Sequence, residues 1–253
     1  MKHALEVNAV SKRFGGVEVL DGVSLAVGEG EFVSLVGPSG SGKSTLFQII
    51  GGLERPDSGE IRMDGRKVTG ERGLIAYMPQ QASLLPWRTV AGNVELALEI
   101  AGVRGGEARR LTREWLMRVG LEGYADAYPH MLSGGMQQRV SFVRALLSPR
   151  RLMCLDEPFG ALDALTRMHM QQWLLSIWEA NRRSVLLVTH SIEEALLLSD
   201  RIIVLSDKPA SVLEEVGVPF PRPRDGRLWS SPAFNALKEH IYGLLKPAAQ
   251  GGF

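Results

Sequence analysis

Gly37-Pro38-Ser39-Gly40-Ser41-Gly42-Lys43-Ser44 is the stretch on which the fold turns. It follows Glu31–Val36, an apolar run that reads as a buried strand, and leads into Lys43–Ile50, a helical run ended by Gly51-Gly52. The spacing fits G-x-x-x-x-G-K-[ST], a loop that wraps a phosphate between a strand and a helix. Glycines let the backbone turn its N–H groups inward, and the helix N-terminus adds partial positive charge. In such a loop Lys43 reaches the β and γ phosphates and Ser44 ligates Mg²⁺, and Thr45 is expected beside them among the nucleotide-binding residues.

Outward from the loop, Leu5–Val10 and Val17–Val27 alternate apolar and polar residues with Gly at the breaks, which predicts antiparallel strands and hairpins. From about Arg88 to Leu147 the pattern turns helical. Val90, Val94, Leu98 and Ala101 are spaced for one apolar face, and Leu111, Trp115, Leu116 and Val119 for another, as in an inserted helical lobe. Strand-like runs return at Leu152–Leu155, Ser184–Thr189 and Arg201–Leu205, separated by helical segments at Thr166–Glu179 and Ile192–Leu198. That rhythm implies an α/β fold with a parallel sheet covered by helices. From Ser206 the chain is Pro-rich and reads as loop, closing with a short amphipathic helix that presents Phe234, Leu237, Ile241 and Leu244 after Ser231-Pro232.

Two further constellations carry chemistry. The strand Leu152-Met153-Cys154-Leu155 ends in Asp156-Glu157, the Walker B arrangement. Asp156 is suited to hold Mg²⁺ through its water shell, and Glu157 to polarise the water that attacks the γ-phosphate. Ser133-Gly134-Gly135 opens a helical run and is a second place able to hold a phosphate. One chain does not need two such places. The economical solution is a head-to-tail dimer in which each nucleotide lies between one copy's Gly37–Ser44 loop and the other's Ser133–Gly135.

Composition bounds the rest. The 253 residues, 45% hydrophobic and 23% charged, suit a globular chain and exclude disorder, collagen and coiled coil. With 29 Lys+Arg against 28 Asp+Glu, the net charge of +1 disfavours a nucleic-acid backbone as main partner. A lone Cys154 in an apolar run argues for a reducing compartment. Met1–Val10 lacks the pattern of a leader, and no run approaches the roughly 18 apolar residues of a membrane span. The chain is therefore expected to be neither exported nor membrane-spanning, while able to sit on a membrane through a partner.

Four motifs in this order resemble the nucleotide-binding subunit of an ATP-binding cassette (ABC) transporter, over about residues 4 to 205. GPSGSGKST is similar to the Walker A loop, LSGGM at Leu132–Met136 to the family's signature, LMCLDEP to the Walker B strand, and Ala161–Asp163 to the D-loop. The resemblance implies a P-loop core with an N-terminal antiparallel β-subdomain and a helical subdomain at about 88–148. Residues 1–205 then form the ATPase domain and 206–253 a C-terminal extension, which either packs on the cassette or regulates it.

By the same resemblance Phe14 stacks on adenine where the family often has Tyr, a ring lacking only the hydroxyl. Gln80 is the Q-loop residue contacting Mg²⁺ and water, with Gln81 beside it as the other register. His190 contacts the γ-phosphate and Glu157; locally, Ser191 and Glu194 form a capping box for the next helix. Met136 departs from LSGGQ and leaves Ser133 and Gly135 as phosphate contacts in trans. Leu84-Leu85-Pro86-Trp87 is either core or part of the surface that receives a membrane subunit. The runs LSGGMQQRV, DEPFGALDALTR, SLLPWRTV and Pro221–Arg224 are similar to those of nitrate, sulfonate and taurine importers.

The resemblance further implies an ATP- and Mg²⁺-dependent hydrolase at the cytoplasmic face of the cell membrane. Its partners are a second copy, transmembrane permease subunits and, through these, a solute-binding protein. A soluble cassette ATPase acting on ribosomes or DNA is the rival reading; it usually carries two cassettes or a coiled-coil insertion, and this chain has neither. A regulator without turnover is disfavoured by Glu157 and His190.

Overall fold

The computed structural model describes residues 2–246, so the end of the expected extension, 247–253, lies outside the described residues. The chain divides into two compact units, one formed by residues up to Leu74 with those from Gln171, the other by Ile75–Met170. Along the first stretch run β1 (His3–Phe14), β2 (Val17–Gly28), β3 (Phe32–Val36), α1 (Lys43–Ile50), β4 (Ser58–Met63) and β5 (Arg66–Lys67). The second unit carries β6 (Ala76–Met78), α2 (Val90–Ile100), α3 (Gly105–Arg118), α4 (Gly134–Leu146), β7 (Leu152–Asp156) and the start of α5 (Ala164–Asn181). Back in the first unit come β8 (Ser184–Thr189), α6 (Ile192–Leu198), β9 (Arg201–Leu205), β10 (Val212–Gly217) and α7 (Pro232–Leu245).

In the first unit, β2, β1, β4 and β5 form an antiparallel sheet in that order. Leu5, Val7 and Val10 are buried on one side of β1 while Asn8, between them, is exposed. The second sheet of this unit places β3 between β8 and β9, both parallel to it. Every residue of β3 and β8 is buried, as continuous apolar runs require when helices cover both faces. Phe32 of β3 meets Trp178 of α5 edge to face at 5.6 Å. The Trp178 indole N–H donates to the Arg183 carbonyl at 2.7 Å, so the ring is buried with its polar atom satisfied.

Three local expectations need correction. The stretch after Ser206 is not only loop: β10 pairs antiparallel with β9, from Val212 opposite Leu205 to Gly217 opposite Arg201. The prolines at 209 and 219 bound this strand instead of interrupting it, and its burial pattern is that of a sheet edge. Ala101, expected on the buried face of α2, is exposed because the helix ends at Ile100 and Ala101 is its C-cap. The capping box at α6 is only half formed: Ser191 Oγ accepts from Glu194 N–H at 3.2 Å, but the Ser191 N–H is taken by Thr189 Oγ1 at 3.1 Å.

The second unit pairs β6 and β7 in parallel, Ala76 opposite Met153 and Met78 opposite Leu155. Around it stand α2, α3 and α4. Val90, Val94 and Leu98 of α2 and Leu116 of α3 are buried, as their spacing predicts. Among the described residues no helix is long and apolar enough to cross a membrane.

Candidate functional site

The first unit holds the Gly-rich loop. Gly40 and Gly42 take φ of +79° and +108°, a region L-residues rarely enter. A Cβ at Gly42 would also lie 2.8 Å from Val19 Cγ1 and 3.1 Å from the Val19 carbonyl, so only glycine lets the loop rest on β2. α1 begins at Gly42 with no side-chain cap and no acidic residue in its first turn. Its first N–H groups are therefore directed at the loop's concave side, where an anion is favoured.

Lys43 is 6% exposed. Its ammonium donates to the Gly37 carbonyl at 2.9 Å, the Pro38 carbonyl at 2.6 Å and Ser41 Oγ at 3.2 Å. Positive charge thus stands beneath the loop and pins its shape, while Ser39, Gly40 and Ser44 are exposed at its rim and Thr45 is half-buried. In the same unit Phe14, at the end of β1, is 43% exposed with the Lys12 ammonium 4.9 Å from its ring centroid. The ring is thus no core residue. His190 is exposed between Thr189, the buried end of β8, and Ser191, the N-cap of α6.

The second unit holds the acidic pair. Asp156 ends β7 and is 2% exposed. Its charge adds to burial in raising the Tyr77 phenol and the Cys154 thiol above their usual ranges; burial is the larger cause for both. Cys154 therefore stays protonated and packs as an apolar residue. Glu157 has φ +46°, a left-handed conformation costing about 1–2 kcal/mol for a non-glycine residue. Two hydrogen bonds to its carbonyl hold it there, from Gly160 N–H at 3.1 Å and from the Gln138 amide at 3.3 Å. Gln80 donates to Glu157 Oε2 at 3.0 Å, so two of the expected site residues stand together.

Gln138 was not singled out by sequence. Its signal is a buried amide, 3% exposed, in a helix whose neighbours Val140, Phe142 and Val143 are apolar. It links the helix opened by Ser133 to the backbone of Glu157. Ser133 is the exposed N-cap of α4, accepting from Met136 N–H at 3.3 Å. Gly134 is exposed beside it, and a Cβ at Gly135 would meet the Ala161 carbonyl at 3.3 Å. The loop before Ser133 is fixed by the Gln137 amide, which donates to the Pro129 and Leu132 carbonyls at 2.9 and 3.2 Å.

Leu84-Leu85-Pro86-Trp87 is not core. Leu84 and Leu85 are half-buried and Trp87 is 72% exposed. Fully buried Asn93 fastens the loop through the Leu85 N–H and the Leu85, Arg88 and Thr89 carbonyls. Arg144 of α4 holds the Ala82 and Ser83 carbonyls.

The residues fit a Mg²⁺-nucleotide. Among the described residues no group of three or more His, Cys, Asp or Glu could cage a metal. Mg²⁺ does not require one, because it keeps several waters and takes one or two carboxylates plus substrate phosphates. Asp156 at a strand end supplies such a carboxylate, and its burial favours a cation there.

Comparison with known proteins agrees with the motifs. The family model described as ABC transporter matches residues 20–160. The chain is 49% identical over 201 residues to the formylaminopyrimidine import ATP-binding protein ThiZ of Halalkalibacterium halodurans, covering 79% of this chain and 78% of that protein. It is 39% identical over 245 residues to the aliphatic sulfonates import ATP-binding protein SsuB of Bacillus cereus, covering 94% and 96%. A solved dimeric ATP-binding cassette in a post-hydrolysis state, bound to ADP and Pi, superposes with a TM-score of 0.76 at 35% identity, over 86% of this chain and all of that one. Motif order, fold and these likenesses agree: the chain belongs to the ABC transporter family and is an ATP-hydrolysing member of it.

Proposed function

We propose that this chain is the ATP-hydrolysing subunit of an importer for a small solute of the kind that includes sulfonates, nitrate and taurine. The observation that carries the reading is likeness to relatives named as import ATP-binding proteins, over 94% of this chain in one case and 79% in another. In this reading it works at the cytoplasmic face of the membrane with transmembrane permease subunits and, through them, a solute-binding protein. Exposed Trp87 on a loop stiffened by Asn93 and Arg144 supports a surface that receives such a subunit.

Phe14 stacks on the adenine, and the Gly37–Thr45 loop binds the phosphates. Lys43 neutralises their charge. Ser44, Gln80 and Asp156 would hold Mg²⁺, which would supply positive charge to offset the charge developing on the phosphates. Glu157 accepts the proton of the attacking water; its fixed backbone and the Gln80 contact suit a base that must not wander. His190 reports whether the terminal phosphate is present. Turnover rests on positioning and charge stabilisation without a covalent intermediate. Two copies close head to tail on two nucleotides, with Ser133, Gly134 and Gly135 of each on the nucleotide of the other. Hydrolysis reopens them.

The trans arrangement is tested with Ser133→Ala. Nucleotide affinity of dilute monomer is expected to stay within about twofold, while ATP-driven dimerisation and turnover fall about tenfold or more. Equilibrium binding of a fluorescent nucleotide and light scattering with ATP read the two separately. A defect in monomer binding alone would contradict the role in trans.

A further inference from the structure

The run Pro221-Arg222-Pro223-Arg224 lies outside the nucleotide motifs, yet Arg224 is only 5% exposed. Its guanidinium donates to the Leu196 carbonyl at 3.2 Å, to the Ser199 carbonyl, to the Phe220 carbonyl at 2.9 Å and to the Val218 carbonyl at 3.3 Å. Arg222 donates to the Leu198 carbonyl at 2.7 Å, pairs with Asp200 at 2.8 Å, and lies 4.2 Å from the Trp178 ring centroid. The last carbonyls of a helix have no partner within it. Here two arginines collect those of Leu196, Leu198 and Ser199, at the end of α6. Burial pushes Arg224 down to about 10, so it stays charged at neutral pH and the bonds remain charge-assisted.

The other end of α6 is held by the same segment. Lys238 of α7 pairs with Glu193 in the first turn of α6. Phe234 and Ile241 pack against Ile192, Ala195 and Leu196, and the Phe220 and Phe234 ring centroids are 5.8 Å apart. α6 starts at Ser191, directly after His190. The Thr189 hydroxyl accepts the Ser191 N–H and the Ser191 hydroxyl accepts the Glu194 N–H, so the His190 backbone is clamped between β8 and α6.

We propose that residues 218–246 act as a positioning element for His190, with Arg222 and Arg224 as positioning residues that fix α6 and thereby the imidazole. This rests on the reading of His190 as the residue that meets the γ-phosphate. The segment therefore tunes turnover rather than nucleotide affinity. A lysine at 224 keeps the charge but cannot span four carbonyls from one ammonium.

The test is Arg224→Lys in the full-length chain, alone and combined with His190→Ala, measuring kcat and KM for ATP. His190→Ala is expected to lower kcat about tenfold or more, and Arg224→Lys about fivefold with KM within about twofold. In the His190→Ala background Arg224→Lys is expected to change kcat by less than about twofold, since both act through one group. Independent losses in both backgrounds would overturn the proposal, as would a shift confined to KM or to thermal midpoint. If His190→Ala leaves turnover intact, the reading of His190 itself fails and the proposal falls with it. Should Arg224→Lys not fold, Lys238→Gln, at a half-exposed position of α7, carries the same test, with about a twofold loss expected only when His190 is present.

Discussion

Lys43→Ala is expected to abolish ATP binding and, with it, all turnover. Two losses combine. The first is the ammonium's charge-assisted bonds to the β and γ phosphates, each about 1.5–3 kcal/mol. The second is internal: Lys43 holds the Gly37 and Pro38 carbonyls and the Ser41 hydroxyl, so its removal frees the loop that shapes the cradle. Together they amount to a loss of about 10²- to 10⁴-fold in affinity. The fold should persist, because the bonds to Gly37, Pro38 and Ser41 lie in the loop that follows the strand. Lys43→Arg is expected to rescue little, since a planar fork does not fit the space of a compact ammonium. Isothermal titration with ATP·Mg²⁺ and circular dichroism separate binding from folding. Affinity within about threefold of the unmodified chain would remove Lys43 from the phosphate site.

Glu157→Gln is expected to do the opposite to binding and the same to turnover. The amide is isosteric and keeps one oxygen to accept from Gln80, so the loop around it should hold. It cannot take a proton from water, and loss of a positioned general base costs about 10²–10⁴ in rate. Binding without turnover traps the nucleotide-bound state, so the chain should elute as a dimer with ATP at concentrations where the unmodified chain returns to monomer. Near-normal hydrolysis would show that another group activates the water. Loss of binding would place Glu157 among the residues that hold the nucleotide and not among those that cleave it.

The loop, the β1–β2 hairpin, the strands β3, β7, β8 and β9 and the helical lobe were legible in the sequence because each rests on local physics that leaves a local mark, whereas the short β4, β5 and β6 were not read. Gly42 must be glycine at φ +108° against β2, and a buried parallel strand such as Ser184–Thr189 is apolar through its centre, Val185 to Val188. The boundaries of α1 and α6 were legible for the same reason. What escaped depends on contacts between residues far apart in sequence. The bond from Gln80 to Glu157, 77 positions on, leaves no mark that would tell Gln80 from Gln81 in the sequence. Gln138 looks like any polar helix residue until its amide is found on the Glu157 carbonyl.

The same limit explains β10. An edge strand with only one neighbour carries half the apolar signal of a central one, and its flanking prolines read as loop. Thr189, at the end of a strand, takes the Ser191 N–H that a full α6 capping box would give to Glu194. The Pro-Arg-Pro-Arg run was visible, but its partners are carbonyls, which leave no trace in side-chain pattern. Carbonyl-directed arginines are therefore the class of contact that motif reading misses here.

The central claim, that hydrolysis here drives a membrane importer, is tested most directly by affinity capture of the tagged chain from detergent-solubilised membranes of its native host, with identification of what accompanies it. A multi-span membrane protein is expected in near-equal amount with the captured chain, retained with ATP·Mg²⁺ present. Ribosomes or nucleic acid in its place, with no membrane protein, would leave the ATPase standing and contradict the importer.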